Sequence, residues 1–230
     1  MLKAIVFDFD GVLVDSEPLH YEAMRVVAEP LGVRFDYRQY LAELIGFDDR
    51  DAFRAILAKA GQPVGERDDD ARLRELMRAK QEAFEQRVAR GIEPVPGALE
   101  LLDAAAAAMP VAIASGATGA DIALILRQLG RLTLFDAIVT ADDVARSKPD
   151  PASYMLAVQR LAAKHPELAL QAGDCLAIED TAAGLASAHG AGLQTLGVTT
   201  TGSAAALGQA DRVVDALVGV TPGVLRQWFG

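Results

Sequence analysis

A chain of 230 residues that is 51% hydrophobic and 23% charged can bury a sizeable core, which excludes a wholly disordered protein. Its 22 basic residues face 32 acidic ones, and a formal charge of −10 repels nucleic acid and anionic membrane surfaces, so neither is expected as a partner. Every apolar stretch is broken short of the ~20 residues a membrane span needs, and a single cysteine, Cys175, excludes an intrachain disulfide.

The chain runs from Met1 straight into an apolar stretch, and Asp8 and Asp10 interrupt the place where a secretory signal needs unbroken apolar residues. A cytoplasmic protein is therefore expected. Residues 4–7 read as a short buried strand that ends in Asp8-Phe9-Asp10-Gly11. Two carboxylates that close raise each other's pKa unless a cation lies between them, an arrangement costly for stability and useful for chemistry.

Ser16-Glu17-Pro18 then reads as a helix start, with a capping hydroxyl, an early acid and a proline in the first turn. Leu19, Ala23, Val26, Val27 and Leu31 follow at helical spacing, and Gly32 closes the element. The helical pattern continues over 37–44, 48–60 and 71–88, with turns at Gly46, at Gly61-Gln62-Pro63 and around Gly65. The charged run Glu66-Arg67-Asp68-Asp69-Asp70 precedes the last of these helices, where acids complement the helix dipole. After the proline-bounded turn Pro94-Val95-Pro96-Gly97, an alanine-rich helix is predicted over 98–109.

From Pro110 onward short apolar strands alternate with helices. Strands are predicted at 111–114, 137–139, 175–178 and 194–198, with a weaker one at 212–214, and helices near 120–130, 151–164 and 181–190. That alternation implies parallel strands joined by right-handed crossovers, an α/β doubly wound parallel sheet. The helical block separates the first strand from the rest, so an α/β core of residues 1–15 and 92–230 with an all-α insertion at 16–91 is expected.

In such a sheet, ligands bind outside the carboxyl ends of the strands. Those ends carry Asp8 and Asp10, then Ser115-Gly116, then Glu179-Asp180, while Ser147-Lys148-Pro149 follows the 137–139 strand after a short link. Singly, each has an ordinary structural explanation as a helix-entry turn, a solvated loop lysine or a helix cap. Together they are the groups that phosphoryl transfer uses.

This set resembles the haloacid dehalogenase-like hydrolases over essentially the whole chain. Asp8-Phe9-Asp10-Gly11-Val12 is similar to the family's first motif, Ser115 to its second, Lys148 in Ser-Lys-Pro-Asp-Pro to its third, and Glu179-Asp180-Thr181 with Gly184 to its fourth. The helical insertion resembles the small cap of the subgroup containing phosphoglycolate phosphatases and β-phosphoglucomutases. The resemblance implies that Asp8 is a nucleophile forming an aspartyl phosphate. It implies Mg²⁺ held by Asp8, the Asp10 backbone carbonyl and Asp180, with Glu179 as an outer-shell or water-mediated ligand. It also implies that Ser115, Lys148 and backbone N–H groups around Phe9, Asp10, Gly11 and Gly116 hold the phosphoryl oxygens. Asp10 is expected to shuttle the proton, and because dehalogenases of the family lack an acid there, its presence argues for cleavage of a P–O bond.

Substrate choice is expected to lie in the cap, with His20, Gly46, Arg50 and Lys80 as candidate residues. Related mutases place an arginine three residues after the glycine, whereas Arg50 follows Gly46 by four. The expected activity is that of a Mg²⁺-dependent phosphatase acting on a small phosphorylated metabolite, a sugar phosphate or a phosphoglycolate-like compound. A phosphomutase is the alternative within the same chemistry, and a binding or regulatory protein without turnover is the alternative outside it. No heptad or long exposed apolar stretch sets an assembly, so a monomer or small homo-oligomer is expected.

Overall fold

The computed structural model describes residues 1–44, 47, 49–64 and 71–230. The sequence readings on Gly46, Asp48 and residues 65–70 lie outside these. The chain divides into two compact units, one of Met1–Asp15 with Glu93–Gly230 and the other of Ser16–Ile92.

In the first unit six strands form one parallel sheet, β1 (Ala4–Phe7), β2 (Val111–Ala114), β3 (Ala137–Val139), β4 (Cys175–Glu179), β5 (Gln194–Val198) and β6 (Arg212–Val214). Their order is β3-β2-β1-β4-β5-β6, the doubly wound arrangement expected from the alternating pattern. Every residue of β1, β2 and β4 is buried, because parallel strands are covered by helices on both faces and so read as short continuous apolar runs. After β1 the chain builds outward through β2 and β3, then returns to place β4 on the other side of β1. That reversal opens a crevice at the carboxyl ends of β1 and β4. Phe7 pairs with Ile113 on one side and Ile178 on the other, and the Asp8 N–H still donates to the Ile178 carbonyl at 2.9 Å. Asp8 and Glu179 are thereby delivered side by side.

Around the sheet lie α5 (Ala98–Ala106), α6 (Gly119–Gln128), α7 (Ala152–Lys164), α8 (Ala182–Gly190) and α9 (Pro222–Phe229). Tyr154, Ala157 and Leu161 of α7 pack on Ala4, Val6, Ala112, Val139 and Ala177, where small strand residues let the helix approach closely. The α5 helix stops at Ala106, three residues before the predicted end, since an alanine run carries no stop signal of its own. The α9 helix was not expected: its buried face is only Pro222, Leu225 and Phe229, too short a period to stand out. Among the described residues no helix is long and apolar enough to cross a membrane.

The second unit is helical among its described residues, with α1 (Glu17–Ala28), α2 (Tyr37–Glu43), α3 (Asp49–Lys59) and α4 (Ala71–Val88). Its core gathers Met24, Val27, Phe53, Ile56, Leu57 and Leu73. Two local expectations are corrected. Ser16 occupies the N-cap of α1 with helical dihedrals and makes no side-chain capping bond, and Val26 is 42% exposed, outside the buried stripe. Asp36 instead supplies a complete capping box with Gln39 at the start of α2.

Candidate active site

At the carboxyl ends of β1 and β4, Asp8, Glu179 and Asp180 are all buried, and each offers a carboxylate oxygen within 4.8 Å of the others. Lys148, in the loop before α7, places Nζ 2.9 Å from Asp8 Oδ1 and 2.6 Å from Glu179 Oε1. Glu179 is the most constrained member. Its Oε1 also accepts from the Tyr154 hydroxyl at 2.7 Å, while Oε2 accepts from the Asp180 N–H, the Thr181 N–H and the Thr181 hydroxyl. Gly184 closes the other side: a Cβ there would stand 1.9 Å from Glu179 Oε1, so the carboxylate and any side chain at 184 exclude each other.

Electrostatics follow from that crowding. Burial, and then the Glu179 and Asp180 charges, push the Asp8 carboxyl well above its ordinary range, against the opposing pull of Lys148. Burial raises Asp180 to about 6, a rise opposed by the Thr201 hydroxyl and reinforced by Glu179. For Lys148 burial works against the charge, yet Asp8 and Glu179 more than offset it, and the ammonium is held. Burial and the Glu179 charge keep the Tyr154 phenol protonated, hence a donor.

Asp180 Oδ2 accepts from Thr201 Oγ1 at 2.5 Å, whereas its buried Oδ1 has no hydrogen-bond partner among the described residues. Gly11 makes this approach possible, with φ +75° and a would-be Cβ 1.9 Å from Asp180 Oδ2. Among the described residues three buried carboxylates, all hard oxygen donors, face one ammonium and leave one oxygen without a partner, a set that fits a small divalent cation such as Mg²⁺.

The remaining predicted groups are placed as follows. Ser115 leaves β2 buried, its N–H donating to the Val139 carbonyl at 3.0 Å and its Oγ accepting from the Ala117 N–H at 3.0 Å. Gly116 beside it is exposed, ahead of the Thr118 cap of α6. The Phe9 N–H donates to Asp8 Oδ1 at 2.7 Å. The Gly11 N–H, expected to face a phosphoryl oxygen, donates to the Val14 carbonyl at 2.7 Å. Asp10 is half-buried in the same turn.

In the helical unit, His20 of α1 and Lys80 of α4 meet, with Lys80 Nζ 3.0 Å from His20 Nδ1 and 3.0 Å from Asp49 Oδ1. The His20 ring stacks on Phe84 at 4.2 Å, and the ammonium sits 5.4 Å from the same ring. Burial, and then Lys80, lower His20 to about 3, so the imidazole is neutral and Nδ1 accepts. Arg50 lies in the first turn of α3, next to Asp49; Gly46 lies outside the described residues.

Three contributors were not singled out from the sequence. Tyr154 reads as a core position of α7, Thr201 as a polar loop residue, and Asp49 as a first-turn acid. No local motif marks them, because their partners lie 25, 21 and 31 residues away respectively.

The model of the haloacid dehalogenase-like hydrolases matches residues 5–198. The chain belongs to that family. Among relatives of this hydrolase, Protein CbbY of Rhodobacter capsulatus is 34% identical over 205 residues, covering 85% of this chain and 84% of its own. Fructose-1-phosphate phosphatase YqaB of Escherichia coli (strain K12) is 29% identical over 194 residues, covering 84% of this chain and 95% of its own. The crystal structure of a mutant of CbbY from Rhodobacter sphaeroides in complex with xylulose-(1,5)bisphosphate superposes with a TM-score of 0.79 at 27% identity, covering 98% of this hydrolase and 99% of that chain.

Proposed function

We propose that this hydrolase is a cytoplasmic, Mg²⁺-dependent phosphatase, a monomer or small homo-oligomer, that cleaves the P–O bond of a small sugar phosphate through an aspartyl phosphate on Asp8. The unit of residues 1–15 and 93–230 is the catalytic core, and residues 16–92, one residue longer than the sequence pattern suggests, are the cap that selects the leaving group. The observation that carries this reading is the Asp8 carboxylate, held between the Phe9 N–H and the Lys148 ammonium beside two further buried acids. A relative named as a fructose-1-phosphate phosphatase and the xylulose bisphosphate complex of CbbY support the sugar phosphate as the substrate class.

An Asp8 carboxylate oxygen attacks phosphorus, and one difficult displacement becomes two easier ones. Lys148 offsets the charge that Asp8 and the phosphoryl group accumulate together, while the Ser115 hydroxyl and the Gly116 N–H hold phosphoryl oxygens. Asp10 gives a proton to the departing sugar oxygen and then takes one from the water that attacks the acyl phosphate, restoring Asp8. Asp8, Asp180 and the Asp10 carbonyl would hold Mg²⁺, with Glu179 in the outer shell or acting through water, and the ion would supply positive charge that keeps the carboxylates ionised and offsets the phosphate dianion.

The test is phosphate release from a panel of sugar phosphates and from p-nitrophenyl phosphate, with Asp8→Asn as control. Wild-type turnover should need Mg²⁺, and Asp8→Asn should lower it by at least about a thousandfold. An Asp8→Asn variant as active as wild type would remove the nucleophile from Asp8. An isomerised sugar phosphate in place of free phosphate, with a bisphosphate requirement, would identify a mutase.

A further inference from the structure

Tyr154 is fully buried in the first turn of α7, six residues beyond Lys148, and it touches both partners of the lysine-carboxylate pair. We infer that Tyr154 is a positioning residue for phosphoryl transfer, its hydroxyl and ring together holding the Lys148 ammonium against Asp8. The inference rests on the phosphatase reading for its consequence in turnover and on geometry for the hold itself.

Packing does not require the hydroxyl. Tyr154 lies among apolar neighbours on the sheet, where a phenylalanine would fill the same space, and a phenol carried into such a place is unfavourable unless its O–H is bonded. That bond goes to Glu179 Oε1 at 2.7 Å, the same oxygen that Lys148 reaches at 2.6 Å. The ammonium also lies 5.1 Å from the Tyr154 ring centroid, where the negative face of the ring favours a cation. One side chain therefore supports the lysine from below and shares the carboxylate oxygen that competes with Asp8 for it.

The rest of Glu179 cannot move to adjust. Its Oε2 is held by two backbone N–H groups and the Thr181 hydroxyl, and Gly184 leaves no space behind it. Lys148 is the adjustable member, 2.6 Å from Glu179 and 2.9 Å from Asp8. When a phosphoryl group arrives at Asp8, the lysine can lean toward it because the Tyr154 hydroxyl keeps Oε1 satisfied. Without that hydroxyl, Oε1 has only the ammonium, and Lys148 is drawn away from Asp8.

The experiment compares wild type with Tyr154→Phe, which removes only the hydroxyl, and Tyr154→Leu, which removes the ring as well. The thermal midpoint, kcat and KM for p-nitrophenyl phosphate, and the Lys148 ammonium NMR resonance of the substrate-free protein are measured, the last assigned by its loss in Lys148→Arg. With the midpoint unchanged, Tyr154→Phe should lower kcat about tenfold while KM stays within about twofold, as expected for a lost hydrogen bond to a charged group. Its ammonium resonance should shift and exchange faster with water, and Tyr154→Leu should fall further on both counts. A Tyr154→Phe protein with kcat within about twofold of wild type and an unshifted resonance overturns the inference. So does a loss seen only in the midpoint or only in KM with the resonance unmoved, because that is a packing role. If wild type releases no phosphate, the phosphatase reading fails while the resonance still tests the hold. Should Tyr154→Phe not fold, the wild-type resonance decides: slow exchange with water supports a held ammonium, and exchange as fast as that of surface lysines overturns it.

Discussion

Each unit of the molecule sinks a lysine over an aromatic ring, and the two differ in what faces the charge. In the helical unit Lys80 meets, among the described residues, one carboxylate, Asp49, and a neutral imidazole, His20, so these charges close. In the α/β unit Lys148 meets Asp8 and Glu179 with Asp180 alongside, and negative charge remains in excess in a buried place. A closed charge set holds helices together and asks for nothing more. An open one is kept at a stability cost, and it is where an arriving cation and a phosphoryl group have something to do.

The largest expected effect separates the two lysines directly. Lys148→Ala leaves Asp8 and Glu179 facing each other, and should cost about 3 kcal/mol in the metal-free protein and at least about a hundredfold in phosphate release. Lys80→Ala should cost less, about 1–2 kcal/mol, because Asp49 is about a third exposed and regains water while only the neutral His20 Nδ1 loses a buried donor. Urea denaturation of both variants checks this, and equal losses would erase the distinction between open and closed charge sets.

An intermediate effect is expected from the metal. Mg²⁺ at about a hundred times its dissociation constant should raise wild-type stability by about 2.7 kcal/mol, reversed by EDTA, and Asp180→Asn should remove at least about half of that gain. A thermal shift indifferent to Asp180, or full turnover after EDTA, would sink the proposed site.

The smallest effects are pH slopes of opposite sign. Asp180 has a folded pKa of about 6 against an ordinary 3.8, so in metal-free protein its contribution is present below 3.8 and lost as pH rises through about 6. His20 is lowered from 6.5 to about 3, so its contribution is present above 6.5 and lost as pH falls through about 3. Melting curves of Asp180→Asn and His20→Gln against wild type, from pH 3 to 7, should each flatten one of the two slopes. Other carboxylates, such as Asp136 and Asp174, are held below their usual range and contribute equally to all three proteins. Matching slopes in the two variants would show that the regions do not differ as described.

Much of the fold was legible because its signals are local. All six strands were visible as short apolar runs, and the strand-end groups were visible because Asp8, Ser115 and Asp180 directly follow their strands and Glu179 is the last residue of β4, one beyond the expected end. Misreadings came where a local signal was ambiguous or overruled. The alanine run suggested a helix to 109, Ser16 suggested a side-chain cap, and α9 had too little period to be noticed. Tyr154 and Thr201 were illegible for another reason: a tyrosine on a buried helix face and a threonine in a loop acquire meaning only from the oxygen they reach.

The sequence by itself determined which chemical groups stand at which strand ends. Parallel strands all present their carboxyl ends at one edge, so the spacing of apolar runs was enough to collect them. Tertiary structure alone decided how the charges share that edge: that Lys148 divides itself between Asp8 and Glu179, that Glu179 is saturated, and that Asp180 keeps an oxygen with no partner among the described residues. The reason is physical. Desolvation and Coulomb energy depend on burial and on distances of a few ångströms, and neither is a function of separation along the chain.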